Sequence, residues 1–295
     1  MKSSGFKSRR LAVVGLGLMG GSLAAAMRDY TETIVGVDVD EETRAFALER
    51  GIVDCATDDL KEGVTDADTV ILAAPVQATL EILEKRIGSY LRSNTLLIDI
   101  GSTKADICEA MGRLPIGIHA IGGHPMTGKE RNGIEASDSH LYTDCPFVLC
   151  ATRRTTPATR LRALAFVETL GAIAIEMDAE RHDHVVATIS HLPYLLSAAF
   201  AATVAKEADN DEAVWKLAAG GFRDTSRLAG SDIKMMGDII STNTQAIAVL
   251  LARFRMQLAL LEMMLISRDE NQLAQALEPA REARLKWSKF YERKS

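Results

Sequence analysis

The chain has 295 residues, of which 47% are hydrophobic and 25% charged, and this composition is typical of a soluble globular protein. Its formal net charge of -6 argues against nucleic acid or an anionic membrane as the main partner, since both favour basic surfaces. The four cysteines, Cys55, Cys108, Cys145 and Cys150, lack metal-binding spacing. These features predict reduced cysteines, no metal site and a cytoplasmic location.

An apolar, glycine-rich run over residues 11–27 follows several basic residues, and this order superficially resembles a signal peptide. The run is short and contains Gly15, Gly17, Gly20 and Gly21, which disfavour a membrane-spanning helix. We therefore interpret it as a strand, a tight turn and a helix.

The tight turn has the pattern of a dinucleotide-binding loop. Residues 11–14 are wholly apolar, as expected for a strand buried on both faces. Gly15, Gly17 and Gly20 follow with the spacing G-x-G-x-x-G, and a helix beginning around Met19 would offer free N–H groups to a pyrophosphate.

The acidic residue that such a site needs follows the next predicted strand, residues 34–37. Asp38 is placed to accept hydrogen bonds from the adenosine ribose hydroxyls and to repel a 2'-phosphate, so NAD is the favoured cofactor. Arg44 lies close enough in sequence to keep NADP as an alternative.

The alternation of strands and helices continues through apolar runs at 69–73 and 96–100, which predicts a parallel sheet. Ala74 and Pro75 follow the first run and should lie beneath the cofactor, because ligands bind at the carboxyl ends of such strands. Ser102 follows the second run. It could face the nicotinamide or a catalytic histidine, or it could cap a helix that begins near Lys104.

A candidate general base follows in the sequence IGGHPMTGKE at 121–130. Its glycines disfavour a helix, so we predict a loop, and Pro125 biases His124 toward an extended conformation. An imidazole titrates near neutral pH and is the commonest general base, although His124 could also only cap a turn. Further strands at 146–150 and 172–177, with a helix at 156–170 between them, should close this domain near residue 177.

Beyond residue 177 the sequence predicts helices. A helix capped by Asp178 should run toward residue 205 and kink at Pro193, which cannot donate to the carbonyl of Ile189. His191 within it is either a second active-site group or a hydrogen-bonded core residue.

Residues 220–227 should interrupt the helices, and their arginines could bind a carboxylate in bidentate fashion or simply pair with Asp224 at the surface. A long helix predicted over 244–267 is apolar on more than one face, which one small domain can hardly cover, so we predict a homodimer. The tail, residues 268–295, reads as a charged amphipathic helix with a solvated face.

Five motifs in this order resemble the prephenate/arogenate dehydrogenases of tyrosine biosynthesis: GLGLMGGS at 15–22, DIGSTK at 99–104, GHPMTG at 123–128, SHLP at 190–193 and GFRDTSR at 221–227. The resemblance implies an N-terminal Rossmann domain (1–177), an all-α substrate and dimerisation domain (178–295), and a substrate cleft between them. The implied reaction is NAD(P)-dependent oxidative decarboxylation of prephenate to 4-hydroxyphenylpyruvate.

The resemblance also implies roles for individual residues. His124 takes the place of the catalytic histidine, Ser102 that of a serine which orients it, and Arg227 that of an arginine which binds a substrate carboxylate. Prephenate has a 4-hydroxyl and two carboxylates, so an enzyme needs a proton acceptor and cations, and Lys129 could supply one more cation.

Two departures from the family pattern concern the substrate side chain. Tyr194 stands where many members have a second histidine, and Met236 lies where a segment with a tryptophan is common. These departures leave prephenate, arogenate and a 4-amino analogue as alternative substrates. Two further alternatives are a 3-hydroxyacid-type dehydrogenase, which shares the plan of a Rossmann domain followed by helices, and a non-catalytic module that senses NAD.

Overall fold

The computed structural model describes residues 5–85, 87–129 and 131–292, and an eight-stranded sheet lies at its centre. The strand order is β3-β2-β1-β4-β5-β6-β7-β8, and neighbouring strands are parallel except for β6 and β7. The strands are β1 (Ser8–Val14), β2 (Thr31–Val37), β3 (Cys55–Thr57), β4 (Thr69–Leu72), β5 (Leu96–Asp99), β6 (His119–Pro125), β7 (Pro146–Ala151) and β8 (Ile173–Glu176). The parallel part has the doubly wound order 3-2-1-4-5-6, which places a ligand crevice beyond the carboxyl ends of β1 and β4.

Helices cover both faces of the sheet, which explains why its strands are continuous apolar runs. Leu11 and Val13 of β1 belong to one buried cluster, whereas Ala12 and Val14 belong to the other. The helices of this region are α1 (Leu18–Ala26), α2 (Glu41–Glu49), α3 (Leu60–Val64), α4 (Val76–Glu84), α5 (Ile87–Tyr90), α6 (Ala105–Gly112) and α7 (Pro157–Thr169).

Strand β6 corrects one prediction, because His124 lies within a strand and not in a loop. It stands opposite Val148 of the antiparallel strand β7. The two preceding glycines allow close packing: a Cβ on Gly122 would lie 2.5 Å from Cys108 Sγ, and one on Gly123 would lie 2.6 Å from the Asp99 carbonyl oxygen. The glycines therefore mark a close approach of neighbouring groups to the strand.

A second group of helices follows the sheet, as predicted. They are α8 (Ala179–Val186), α9 (Leu192–Ala208), α10 (Ala213–Leu217), α11 (Gly220–Ser226) and α12 (Ile233–Ser241). The predicted interruption at 220–227 is wrong, since Gly220 begins α11 and a 3-10 turn, Arg227–Gly230, follows directly. The polar residues that suggested a loop form the exposed surface of this helix.

The irregularity predicted near Pro193 takes the form of a π-helical turn, Ala187–His191, between α8 and α9. Residues nine apart in a regular α-helix lie on opposite faces, because nine steps of about 100° make two and a half turns. A π turn inserts one residue, evident here in the hydrogen bond from Leu192 N–H to the Ala187 carbonyl. The angle between His182 and His191 around the helix axis is therefore that of residues eight apart in a regular helix, about 80°. The two histidines lie on the same side of the helix.

The helical run Ala179–Ala208 is long and apolar enough to cross a bilayer by length and composition alone. It carries His182, Asp183 and His191, all of which are buried and hydrogen-bonded within the protein.

The described chain divides into two compact units, Met1–Thr244 and Gln245–Ser295. The second unit consists of most of α13 (Thr244–Ser267) and of α14 (Glu270–Glu292), and the bounds predicted for the long helix are confirmed. Several large apolar residues of α13 are exposed, including Met256, Met263 and Ile266. Residues 178–244 belong to the same unit as the sheet, so the domain boundary at 177 stays a prediction.

Candidate active site

A cavity of about 180 Å³ lies where the carboxyl ends of β5 and β6 meet the helices that follow the sheet. It brings together three residues predicted from the sequence, Ser102, His124 and His191. Its lining consists of Ser102, His124, Pro125, Met126, Thr127, Val186, Ser190, His191 and Ile239.

The His124 ring begins a chain of hydrogen bonds that the sequence did not reveal. Its Nδ1 lies 2.8 Å from His182 Nε2, and His182 Nδ1 lies 2.8 Å from Asp183 Oδ1. A carboxylate can only accept, so His182 donates from Nδ1 and accepts at Nε2. His124 must then donate from Nδ1, which leaves a lone pair on its Nε2. The contacts thus fix the tautomer that a general base in the cavity requires.

Asp183 is held in place by the beginning of α6. Its Oδ1 accepts from Lys104 N at 2.7 Å, and its Oδ2 accepts from Ala105 N at 2.8 Å. Unpaired N–H groups at a helix N-terminus favour a carboxylate, so one side chain both caps α6 and orients His182. The sequence does show His182 and Asp183 side by side in the first turns of the helix after the sheet. Nothing in the neighbouring residues indicates which groups they contact.

A buried ion pair supports the strand ends on which the site is built. Lys104 Nζ donates to Asp99, and both side chains are fully buried. Asp99 also accepts from Gly101 N at 3.0 Å and from Gly123 N at 3.1 Å, directly before His124. Burial raises the pKa of Asp99, and the Lys104 charge opposes that shift.

Removing the cation of this pair should destabilise the protein. In Lys104→Met, Asp99 remains buried without its partner, and we expect a loss of about 3–5 kcal/mol in the free energy of unfolding. Urea denaturation measures this change. Lys85→Met, which removes an exposed pair with Glu81, is the control and should leave the midpoint nearly unchanged. Equal effects of the two substitutions would contradict the supporting role of Lys104.

The environment of His124 keeps its ring neutral. Burial lowers the pKa of His124 well below its usual value of 6.5, and the positive charges that His182, Lys104 and His191 can carry lower it further. Burial likewise lowers the pKa of His191 to about 4, although Asp183 opposes the shift. The cavity therefore contains two neutral imidazoles at physiological pH.

The glycine-rich loop after β1 fits a dinucleotide. Gly15 has a φ of +93°, and a Cβ there would lie 2.8 Å from the backbone of Ala73 and Ala74. A Cβ on Gly20 would lie 1.8 Å from the Gly15 carbonyl oxygen, whereas one on Gly17 would meet nothing within 4 Å. The first and third glycines are thus required for packing, and the second leaves the open space that a pyrophosphate needs.

The other predicted cofactor residues surround this loop. Asp38 Oδ2 accepts from Leu16 N at 2.7 Å, and Arg44 Nη1 donates to the Asp38 carbonyl at 2.7 Å. The Met19 carbonyl accepts from the Tyr142 hydroxyl at 2.6 Å, and Pro75 directly precedes α4 at the end of β4. Their contacts with a cofactor stay predictions.

Three predicted substrate residues lie outside the described lining of the cavity. Lys129 is half-exposed and pairs with Asp138 at 3.0 Å, Arg227 is exposed on its 3-10 turn, and Tyr194 is half-buried in α9. Ser102 does line the cavity, but the hydrogen bond described for the His124 ring goes to His182. The roles assigned to these residues stay predictions.

A doubly wound sheet with a dinucleotide loop, beside a cavity that holds a neutral histidine base, defines a nucleotide-dependent dehydrogenase. Two family models match the chain: "Prephenate dehydrogenase, nucleotide-binding domain" over residues 23–176 and "Prephenate dehydrogenase, dimerization domain" over residues 178–279. The chain belongs to the prephenate dehydrogenase family.

Known proteins agree with this assignment. Prephenate dehydrogenase of Bacillus subtilis is 33% identical over 240 residues, which cover 80% of this chain and 65% of that enzyme. The structure of Synechocystis arogenate dehydrogenase is 32% identical with a TM-score of 0.81, covering 94% of this chain and 99% of that one. A structure of prephenate dehydrogenase from A. aeolicus with hydroxyphenyl propionate and NAD+ is 28% identical with a TM-score of 0.84, covering 94% and 98%.

Proposed function

We propose that the protein oxidises and decarboxylates prephenate to 4-hydroxyphenylpyruvate with NAD, a step of tyrosine biosynthesis. The observation that carries this proposal is the His124 Nε2 lone pair, fixed by His182 and Asp183 at a cavity that adjoins the nucleotide-binding sheet. The family of the chain and the A. aeolicus structure, which holds an aromatic acid and NAD+ together, support it.

The residues of the chain act on the proton. His124 Nε2 accepts the proton of the substrate 4-hydroxyl, and the imidazolium that forms donates from Nδ1 to His182. The Asp183 carboxylate stabilises this positive charge through the His182 ring. The hydride acceptor for the carbon that bears the hydroxyl would be supplied by NAD, held at the glycine-rich loop after β1. Loss of the ring carboxylate as carbon dioxide completes an aromatic ring, which makes the reaction effectively irreversible.

Arogenate is the second candidate substrate. It is supported by the 32% identity to Synechocystis arogenate dehydrogenase. Tyr194, which replaces the histidine common in the family, would lie near the side chain of the substrate. Prephenate and arogenate differ in the side chain and share the ring, so the chemistry at His124 would be the same for both.

The test measures reduced nicotinamide after prephenate or arogenate is added to the protein with NAD or NADP. We expect the highest kcat/KM with prephenate and NAD. A higher value with arogenate would change the substrate assignment. A preference for NADP would indicate that Arg44 accommodates the 2'-phosphate and that Asp38 does not repel it. Cofactor binding without turnover in all four pairings would favour a sensor and contradict the proposed activity.

The pH profile offers a second check. Protonation of His124 would abolish its function as a base, and its pKa lies well below 6.5. Because the profile of kcat/KM reports the free enzyme, the value should stay level as the pH falls from about 8 to about 6.5 and decline only below that range. A midpoint at or above 6.5 that disappears in a His124 variant would contradict this environment.

Arg227 is proposed to bind a substrate carboxylate. If it does, Arg227→Ala should raise KM about tenfold or more while kcat changes little, because a carboxylate far from the reacting carbon is bound equally in ground and transition states. Steady-state kinetics measures both constants. Arg223→Ala is the control, since Arg223 is exposed and pairs with Asp224. An unchanged KM in Arg227→Ala would remove this assignment.

We also propose a homodimer and a cytoplasmic location. The C-terminal family model describes a dimerization domain, and the exposed apolar residues of α13 offer a surface for association. Sedimentation should give a dimer at micromolar concentration. A strictly monomeric species would contradict the proposal.

A further inference from the structure

Asn243 lies between Asp183, which holds His182 and through it His124, and His191. It follows α12 and is 7% exposed. Its Nδ2 lies 2.7 Å from the main-chain carbonyl oxygen of Asp183 and 3.3 Å from Nδ1 of His191. One amide group thus contacts Asp183, the last residue of the hydrogen-bond chain from His124, and His191, the second histidine of the cavity.

These contacts fix the orientation of the amide. A main-chain carbonyl oxygen can only accept, so the atom facing it must be the NH2 group of Asn243 and not its oxygen. The NH2 group has two hydrogens, and the second is available to His191. Because an NH2 group cannot accept, His191 Nδ1 must carry a lone pair, and the proton of the neutral ring must be on Nε2.

The cavity therefore contains two imidazoles with opposite hydrogen-bonding roles, one an acceptor and one a donor. His124 offers the lone pair of Nε2, and His191 offers an N–H donor from its own Nε2, for which no partner is described among residues 5–85, 87–129 and 131–292. A hydroxyl that loses its proton needs both groups: an acceptor for the proton and a donor for the oxygen that gains electron density.

We propose that Asn243 is a positioning residue that locks His191 as an N–H donor, so that the site holds the reacting hydroxyl of its substrate between His191 and His124. The proposal rests on the proposed function for the identity of that hydroxyl. The tautomer of His191 and its control by Asn243 do not depend on any substrate.

The first experiment measures the tautomer directly. Nitrogen NMR of the full-length protein labelled with 15N-histidine distinguishes a protonated Nε2 from a protonated Nδ1, and His191→Gln identifies the signal. At pH 7.5 we expect His191 to carry its proton on Nε2. A proton on Nδ1 would overturn the proposal, and because no substrate is added, this result is independent of whether prephenate is turned over.

The second experiment uses Asn243→Asp, which replaces the hydrogen-bond donor that faces His191 Nδ1 with an acceptor. A carboxylate can only accept, so His191 would be protonated on Nδ1 and would donate from Nε2 only as an imidazolium. The groups facing His191 from the neighbouring elements are Asp183, His182 and His124. We expect kcat/KM with prephenate and NAD to fall about tenfold or more as the pH rises from about 6.5 to about 8, a range over which the unsubstituted enzyme should be level.

Asn210→Asp is the matched control, because Asn210 is exposed and its side chain bonds only to the nearby Lys206 carbonyl among the described contacts. It should keep the pH profile of the unsubstituted enzyme. A level profile in Asn243→Asp would overturn the role of Asn243, since a merely structural residue would change the rate without adding an ionisation. If Asn243→Asp does not fold, the NMR measurement on the unsubstituted protein still decides the tautomer.

Discussion

Replacement of His124 by asparagine should lower kcat by about 10²-fold or more, because an amide cannot accept the hydroxyl proton. Asparagine retains an N–H group that can approach His182, so the surrounding structure should persist. Cofactor affinity should stay within about twofold, since the glycine-rich loop after β1 is separate from this side chain. Steady-state kinetics gives kcat, and fluorescence titration with NAD gives the dissociation constant.

His119→Asn is a suitable control for this substitution. His119 begins the same strand at the opposite end and contacts Thr159 at 2.8 Å and Asn94 at 3.4 Å. The control should keep kcat within about twofold. A normal kcat in His124→Asn, with the control also normal, would remove His124 from the mechanism.

The second large effect is expected for Asp183→Asn. The amide would no longer impose a proton on His182 Nδ1, so His182 could present a donor where His124 needs an acceptor. Loss of the same kind of carboxylate from a histidine base in serine proteases lowers kcat by about 10⁴, and we expect about 10²–10⁴ here. The measured quantities are kcat and the melting temperature, because Asp183 also caps α6.

Asp178→Asn is the control for this substitution, because it changes a nearby carboxylate that has neither role. Asp178 precedes α8 without a side-chain capping bond, so its replacement should affect neither kcat nor stability strongly. If Asp183→Asn lowered the melting temperature but retained full kcat in the folded protein, the carboxylate would be a helix cap only.

The parts of the fold that follow local patterns were predictable from the sequence. The strand before Gly15, the following turn and the helix over Thr244–Ser267 each depend on hydrophobic periodicity and glycine spacing within a short segment. The cavity residues Ser102 and His124 were predictable because both follow or end strands whose carboxyl ends must meet at one edge.

The hydrogen-bond chain behind His124 was not predictable, because its partners are 58 residues apart and meet only after the helices fold onto the sheet. The glycines before His124 were also ambiguous. Glycine breaks helices, but at Gly122 and Gly123 it permits close approach to the Cys108 side chain and the Asp99 backbone, and no local rule separates these cases. Asn243 gave no signal at all, since its importance comes from two buried contacts.

The π-helical turn between His182 and His191 has a consequence for alignments of family members. Because the turn contains one residue more than a regular helix needs, a relative that lacks one residue there would keep both histidines on the same side of an unbroken helix. A single-residue gap at this place in an alignment would then be compatible with an intact site.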